Sequence, residues 1–301
     1  MKNSHHWLKA FRLRTLPLAL SSIAMGGFLA WHDHAFRWDI FLLCIVTTIF
    51  LQILSNLAND YGDSVNGADN VSRKGPSRAV QSGVIQPAQM RAAIFLFGLL
   101  SLVSGVTLLL VSFGAAWKAI LFFLALGLLS IGAAVTYTIG RKPYGYIGLG
   151  DLSVLIFFGL VGVMGSYYLF TKNISWYEVL PALSMGFLSI AVLNINNIRD
   201  IESDRLAGKF SIPVRLGRKK AIVYHWLLLS GAVLFTLLYT VLQYHSPAQF
   251  AFLVGIPLFI RNGLAITRKQ PEMLDPYLKQ MALSTLLFVL LFGSGLALSV
   301  Y

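Results

Sequence analysis

The sequence has 301 residues, 56% of them hydrophobic and 12% charged, with a mean hydropathy of +0.70 and a formal net charge of +12. Soluble domains carry about 25% charged residues, so this composition excludes an ordinary water-soluble globule. The single cysteine, Cys44, lies in an apolar run, which excludes an internal disulfide framework.

In chain order, a basic stretch (Lys2, Lys9, Arg12, Arg14) precedes the first apolar run. No small-residue cleavage site follows, so the run is expected to be a membrane helix and not a removed signal. Apolar runs long enough to span a bilayer as helices lie at about 15–31, 38–59, 92–112, 116–136, 151–170, 176–198, 221–243, 249–267 and 280–300. Pro257 and Arg261 interrupt the eighth. Helices are expected because backbone in lipid must satisfy its own hydrogen bonds. The fold class is therefore all-α and integral to the membrane, one polytopic domain of about nine transmembrane helices.

Of the 24 Lys and Arg residues, 21 fall on one side of this topology; only Arg37, Lys118 and Lys172 fall on the other. The positive-inside rule then places the N-terminus in the cytoplasm and the C-terminus outside. The positive balance is topological charge facing anionic lipid. No soluble basic module is visible, so no nucleic-acid partner is expected.

The second span ends in Asn56-Leu57-Ala58-Asn59-Asp60-Tyr61-Gly62-Asp63, with Asp69 shortly after. Asn56, Asn59, Asp60 and Asp63 share one helix face. The sixth span ends in Asn196-Asn197-Ile198-Arg199-Asp200-Ile201-Glu202-Ser203-Asp204, where Asn196, Asp200 and Asp204 also fall on one face. The segments 56–69 and 196–209 form a weak internal repeat on helices that run the same way. Each acid alone could be a partner for neighbouring basic residues. Two similar patches beside a membrane instead point to a functional site. Carboxylate and amide oxygens suit Mg²⁺ together with phosphate oxygens, and two facing patches could clamp a diphosphate through bound ions. Arg73, Lys74, Arg78, Arg141, Lys142, Lys209 and Arg215 supply nearby positive charge.

These residues resemble the UbiA superfamily of membrane aromatic prenyltransferases over essentially the whole chain. The likeness rests on Asn56 to Asp69, Arg73-Lys74-Gly75-Pro76-Ser77-Arg78-Ala79-Val80 with Ser82-Gly83, Tyr144 to Asp151, Asn196 to Gly217, and Arg14-Thr15-Leu16-Pro17. Within the superfamily it is most similar to the group that prenylates 1,4-dihydroxy-2-naphthoate. The resemblance implies nine helices around a central cavity that opens to the cytoplasm and to lipid. It implies Mg²⁺-dependent transfer from a polyprenyl diphosphate to dihydroxynaphthoate, with loss of carbon dioxide and release of diphosphate. The product the resemblance implies is demethylmenaquinone, and the location it implies is a cell (inner) membrane.

Carried over, Asp60, Asp63, Asp200 and Asp204 match the catalytic, metal-binding carboxylates, and Asn56, Asn59 and Asn196 their neighbours. Arg73, Lys74, Arg78, Lys142 and Lys209 are candidates for diphosphate contact, and Tyr137 and Tyr144 for the aromatic surroundings of an allylic cation. Arg14 and Arg141 are candidates for the acceptor carboxylate. The chain departs from the superfamily pattern in having Gly67 with Asp69 in place of a third acid at 67. It also has Phe210-Ser211-Ile212-Pro213 where Arg-Thr-Leu-Ala is usual, and Asp151 where Glu is usual. The Phe210 change removes one possible phosphate contact.

Other aromatic acceptors, 4-hydroxybenzoate or homogentisate, remain alternatives, as does haem farnesylation. A secondary transporter is the alternative from another class, although its ionisable residues would sit nearer the bilayer midplane. A phosphatidyl-alcohol transferase would need an Asp-Gly-x-x-Ala-Arg run, which this sequence lacks.

Overall fold

The computed structural model describes residues 2–67, 75 and 78–299. Among these residues the secondary structure is helical, and nine helical spans are long and apolar enough to cross a membrane. An amphipathic helix α1 (Lys2–Phe11) precedes α2 (Leu16–His32), with a left-handed break at Arg12 between them. Then follow α3 (Trp38–Val65), α4 (Pro87–Phe113), α5 (Trp117–Thr136), α6 (Gly150–Thr171) and α7 (Val179–Arg199). A short α8 (Ile201–Leu206) leads to α9 (Ile212–Leu242), α10 (Pro247–Arg268) and α11 (Asp275–Ser299). The nine spans expected from hydropathy are present.

The eighth span begins as a 3-10 segment, Pro247–Gly255, and continues as the α-helix Ile256–Arg268; Pro257 falls in the first turn of that helix and Arg261 lies within it, so neither interrupts the span as expected. Two departures from regular helix were not visible in the apolar pattern. α6 is π-helical over Leu155–Gly165, and α9 starts nine residues before the apolar run and breaks at Gly217 (φ 73°).

The largest apolar core runs through α2, α6, α7, α9, α10 and α11. Between membrane helices, close packing and hydrogen bonds hold the bundle together, because lipid is as apolar as the side chains it would replace. Both devices are present. Gly159 of α6 and Gly186 of α7 face each other: a Cβ on Gly159 would stand 2.6 Å from the Ala182 carbonyl oxygen and 3.1 Å from the Gly186 Cα. Asn194 of α7 donates to the Ala221 carbonyl, and His225 of α9 pairs with Asn262 of α10 at 3.1 Å. Asn262 in turn donates to the Tyr277 carbonyl of α11. Tyr224 of α9 donates to Asp151 of α6 at 2.8 Å.

A smaller cluster fixes the acid-bearing end. Ala10 of α1, Ile53 and Leu57 of α3, Ala79, Ile85 and Met90 pack together, with Trp7 and Phe11 against them. The 79–86 segment is thereby pulled back over α3. It enters α4 through a reciprocal Gln86–Gln89 cap with Pro87 in the first turn. At this end the chain folds three loops onto α3 and α7, and these loops carry the polar partners described below.

Gly159→Val would drive a side chain into backbone that has no room to move. The expected loss is about 1–3 kcal/mol, as for overpacked cores, read as a lower thermal unfolding midpoint of the purified protein in detergent.

Candidate active site

Asp60 and Asp63 lie in the last two turns of α3, with Asp200 and Asp204 at the end of α7 and in α8; all four are only 2–4% exposed. Each has been given a specific partner. Asp60 Oδ2 accepts the backbone N–H of Ala79, and Oδ1 that of Val80, both at 3.1 Å. Asp63 Oδ2 accepts from Arg78 Nη1 at 2.5 Å, and Oδ1 from the Tyr146 hydroxyl at 2.8 Å. The same Arg78 nitrogen donates to the Asn59 carbonyl at 2.7 Å. The turn after residue 78 is thus closed onto the first patch by two carboxylates one helical turn apart.

The two asparagines of the first patch face different neighbours. Asn56 Nδ2 donates to the Phe11 carbonyl and to Thr15 Oγ1, so it anchors the α1–α2 connection. Asn59 Oδ1 accepts from Thr138 Oγ1 at 3.3 Å, a hydroxyl that also donates to the Ala58 carbonyl. This approach requires glycine at 62, where a Cβ would meet the Thr138 carbonyl carbon and oxygen at 2.6 Å.

The second patch is bent. α7 ends at Arg199, Asp200 takes φ −102° and ψ 15°, and α8 starts at Ile201. The Asp200 N–H still donates to the Asn196 carbonyl, and the Asp204 N–H to the Asp200 carbonyl, so the acids keep their one-turn spacing through the bend. Arg199 forks onto Asp200 through Nε at 2.9 Å and Nη2 at 2.7 Å, and Nη2 also reaches Asn196 Oδ1. Asp204 Oδ1 pairs with Lys209 Nζ at 3.4 Å. Its Oδ2 is buried with no hydrogen-bond partner among the described residues.

The two patches meet at Lys209 and Tyr146. The Lys209 ammonium lies 5.8 Å from the Tyr146 ring centre, and that tyrosine holds Asp63. Burial works against the charged form of Lys209, but the carboxylates of Asp204 and Asp63 outweigh it and hold the ammonium above its usual range. Burial pushes the Asp204 carboxyl up to about 6; Lys209 opposes this, while Asp200 and Asp63 add to it. Burial, followed by the adjacent Asp63, raises the Tyr146 phenol and keeps it a hydrogen-bond donor.

Among the described residues, no three His, Cys, Asp or Glu side chains converge on one point as a ready metal cage. The donor chemistry nevertheless fits Mg²⁺, which takes hard oxygens and only one or two carboxylates, keeping the rest of its shell for water and phosphate. The orphaned Asp204 Oδ2 is a buried oxygen of that kind. Asp60, Asp63, Asp200 and Asp204 would hold such ions between them, and Asn197, three residues before Asp200, adds a buried Oδ1 with no hydrogen-bond partner among the described residues.

Beneath the acids lies a cavity of about 380 Å³ bounded by α2 to α6 and Leu193 of α7. Asn56, Asn59, Tyr137 and Tyr144 line it near the acids, and it extends to Cys44 and Leu169 toward the other end. Tyr137 and Tyr144 pack edge to face at 5.3 Å. Burial raises both phenols; Tyr144 donates to the Ala133 carbonyl and pairs with Ser153.

Of the expected basic residues, Arg78 and Lys209 are buried against the carboxylates, whereas Lys142 is exposed on its loop with no ion pair to them. Arg215 instead braces the Phe210 and Ile147 carbonyls. Arg73, Lys74 and Asp69 lie outside the described residues. Arg14 pairs with Asp275. Sequence reasoning gave no role to Tyr146, Arg199 or Asn197. The signal for Arg199 was a guanidinium at the end of a long apolar helix, where a charge needs a partner.

Comparison with known proteins places these observations. Residues 19–284 match the UbiA prenyltransferase family. The chain is 45% identical to a 1,4-dihydroxy-2-naphthoate octaprenyltransferase of Haemophilus influenzae, covering 96% of this chain and 95% of the relative. It is also 45% identical to the enzyme of that name from Escherichia coli, covering 97% and 95%. In fold it is similar to the apo structure of a UbiA homolog from Aeropyrum pernix K1, with a TM-score of 0.69 at 19% identity over 95% of this chain and 98% of that one. It is similar too to a UbiA homolog from Archaeoglobus fulgidus bound to GPP and Mg²⁺, with a TM-score of 0.67 at 17% identity over 97% and 99%.

Lys209→Met leaves Asp204 buried without its cation, and breaking such a pair costs about 3–5 kcal/mol. Arg91→Ala, which removes an exposed contact to Tyr61, should cost about 0.5 kcal/mol or less. Thermal unfolding of the two variants side by side checks the contrast.

Proposed function

This chain belongs to the UbiA prenyltransferase family, and from that premise we propose that it transfers a polyprenyl group from polyprenyl diphosphate to 1,4-dihydroxy-2-naphthoate. The acceptor comes from the two bacterial relatives named for it, to which the chain is 45% identical over nearly its full length. The observation that carries the reading of the site is that Lys209 pairs with Asp204 and lies over the ring of Tyr146, which holds Asp63, beside a mostly apolar cavity that Asn56, Asn59 and Tyr137 line. The head group would lie among the acids and the prenyl tail in the cavity. By the distribution of Lys and Arg, the acid-bearing end faces the cytoplasm of a cell (inner) membrane. The segments 56–69 and 196–209 act as the two halves of one clamp within a single domain.

Mg²⁺ bound at the carboxylates would neutralise charge on the departing diphosphate. The chain's own residues do the rest. Arg78 and Lys209 stand beside Asp63 and Asp204 and can donate to diphosphate oxygens. Asp60, fastened to the Ala79 and Val80 amides, keeps the turn bearing Arg78 closed over the site. As the prenyl C–O bond breaks, its electron pair leaves with the diphosphate. Tyr137 and Tyr144 line the cavity where the allylic cation forms and present aromatic surface to it. The ring carbon bearing the acceptor carboxylate then bonds to the prenyl carbon. Loss of that carboxylate as carbon dioxide returns its bonding pair to the ring and leaves the quinol form of demethylmenaquinone. The apolar cavity wall limits capture of the cation by water.

Asp60→Ala and Asp200→Ala should each lower prenyl transfer by at least about 100-fold, a typical loss for a group acting on transition-state charge, and EDTA should abolish it in the unaltered protein. With dihydroxynaphthoate, 4-hydroxybenzoate and homogentisate offered in parallel, product should form with the naphthoate. Product from hydroxybenzoate alone would contradict the acceptor.

A further inference from the structure

The second acidic patch is wired to a helix that no sequence motif marks. Arg199, 2% exposed, holds both oxygens of Asp200 and also donates through Nη1 to Asp275 Oδ1 at 2.7 Å. Asp275 is the first residue of α11, and its Oδ2 accepts from Arg14 Nη1 at 2.8 Å. The result is a ladder of alternating charge, Asp200–Arg199–Asp275–Arg14, running from the site to the start of α2 and the rim of α11.

A guanidinium forked onto a carboxylate does two opposed things. It fixes the carboxylate's orientation through paired, charge-assisted hydrogen bonds. It also neutralises those oxygens and competes with any cation they are to bind. Asp275 acts on both effects, because it accepts from the guanidinium face turned away from Asp200. It holds Arg199 in place, and its negative charge partly offsets the guanidinium across a half-buried contact. Arg14 works the other way by drawing on the second oxygen of Asp275.

We propose that Asp275 is a positioning residue for the metal–diphosphate site, acting through Arg199 to set the orientation of Asp200 and its affinity for a divalent cation. The inference rests on the reading of Asp200 as a metal-binding carboxylate. A purely structural clamp of α11 onto α7 and α2 would also use these contacts, but its loss would lower stability without changing cation affinity.

The test titrates Mg²⁺ against the full-length protein in detergent at fixed inorganic diphosphate, and reads the rise in thermal midpoint that ligand binding produces. Asp275→Asn should raise the half-saturating Mg²⁺ concentration about three- to tenfold, a modest shift because Asp275 is partly exposed and partly screened. Asp275→Glu should remain near the unaltered value. In an Arg199→Gln background, Asp275→Asn should add no further shift, since a coupling carried by one partner vanishes when it is removed. Arg14→Gln should lower the half-saturating concentration, and this variant serves if Asp275→Asn fails to fold. An unshifted Asp275→Asn, a full shift that persists without Arg199, or an Arg14→Gln that raises or leaves the requirement unchanged would each overturn the proposal. An unaltered protein with no response to Mg²⁺ and diphosphate would instead overturn the metal reading of Asp200, and the ladder with it.

Discussion

Four carboxylates are buried at one end of an apolar bundle, where an ionised oxygen left without a partner costs several kcal/mol. Much of the local structure answers that cost. Asp60 takes two backbone N–H groups, Asp63 takes Arg78 and Tyr146, Asp200 takes Arg199, and Asp204 takes Lys209. The 78–80 turn, Tyr146 and Lys209 come from three different connections, so pairing the acids also determines where those connections lie, while Arg199 is the chain neighbour of the acid it holds. Asp204 Oδ2, which has no hydrogen-bond partner among the described residues, is the exception. An orphaned buried oxygen in a native site calls for an occupant or a strain account, and the proposed divalent cation with diphosphate would supply one.

The same bonds explain how loops become walls of the site. The turn at 78–81 is pulled onto α3 by Asp60 and Asp63, with Ala79 and Ile85 sealing it from beneath. The connection between α5 and α6 is held through Thr138 on the Asn59 side and through Tyr146 on Asp63. The connection after α8 returns through Lys209 and the Phe210 N–H, which donates to the Tyr146 carbonyl. Tyr146 is therefore bound from both patches, which is how two acidic segments far apart in sequence come to share one ammonium.

Much of this was legible in the sequence, for identifiable reasons. Long apolar runs mark membrane helices almost independently of context, so all nine spans could be read. Helical spacing placed Asn56, Asn59, Asp60 and Asp63 together because α3 continues unbroken to Val65. The same reasoning held less well for the second patch, since the helix bends at Asp200 and the Asn196 side chain turns to Arg199. Local periodicity carries no information on which cation turns inward. Arg78 and Lys209 are buried while Lys142 is exposed, although all three sit in similar polar loops. The contact of Asp275 with Arg199 joins α11 to the end of α7 across a long stretch of chain and has no local pattern. The π-helical turn of α6 was equally hidden, because close packing of Gly159 on α7, and not hydropathy, accompanies it.

The central claim is that this site joins a prenyl group to the ring carbon that bears the acceptor's carboxylate. The most direct measurement follows carboxyl-labelled dihydroxynaphthoate with purified, reconstituted protein, Mg²⁺ and a polyprenyl diphosphate. Labelled carbon dioxide and diphosphate should appear together, in a one-to-one ratio, and the prenylated product should carry no label. Diphosphate release with the label retained on a prenylated acid, or no prenylation of the naphthoate at all, would contradict the account.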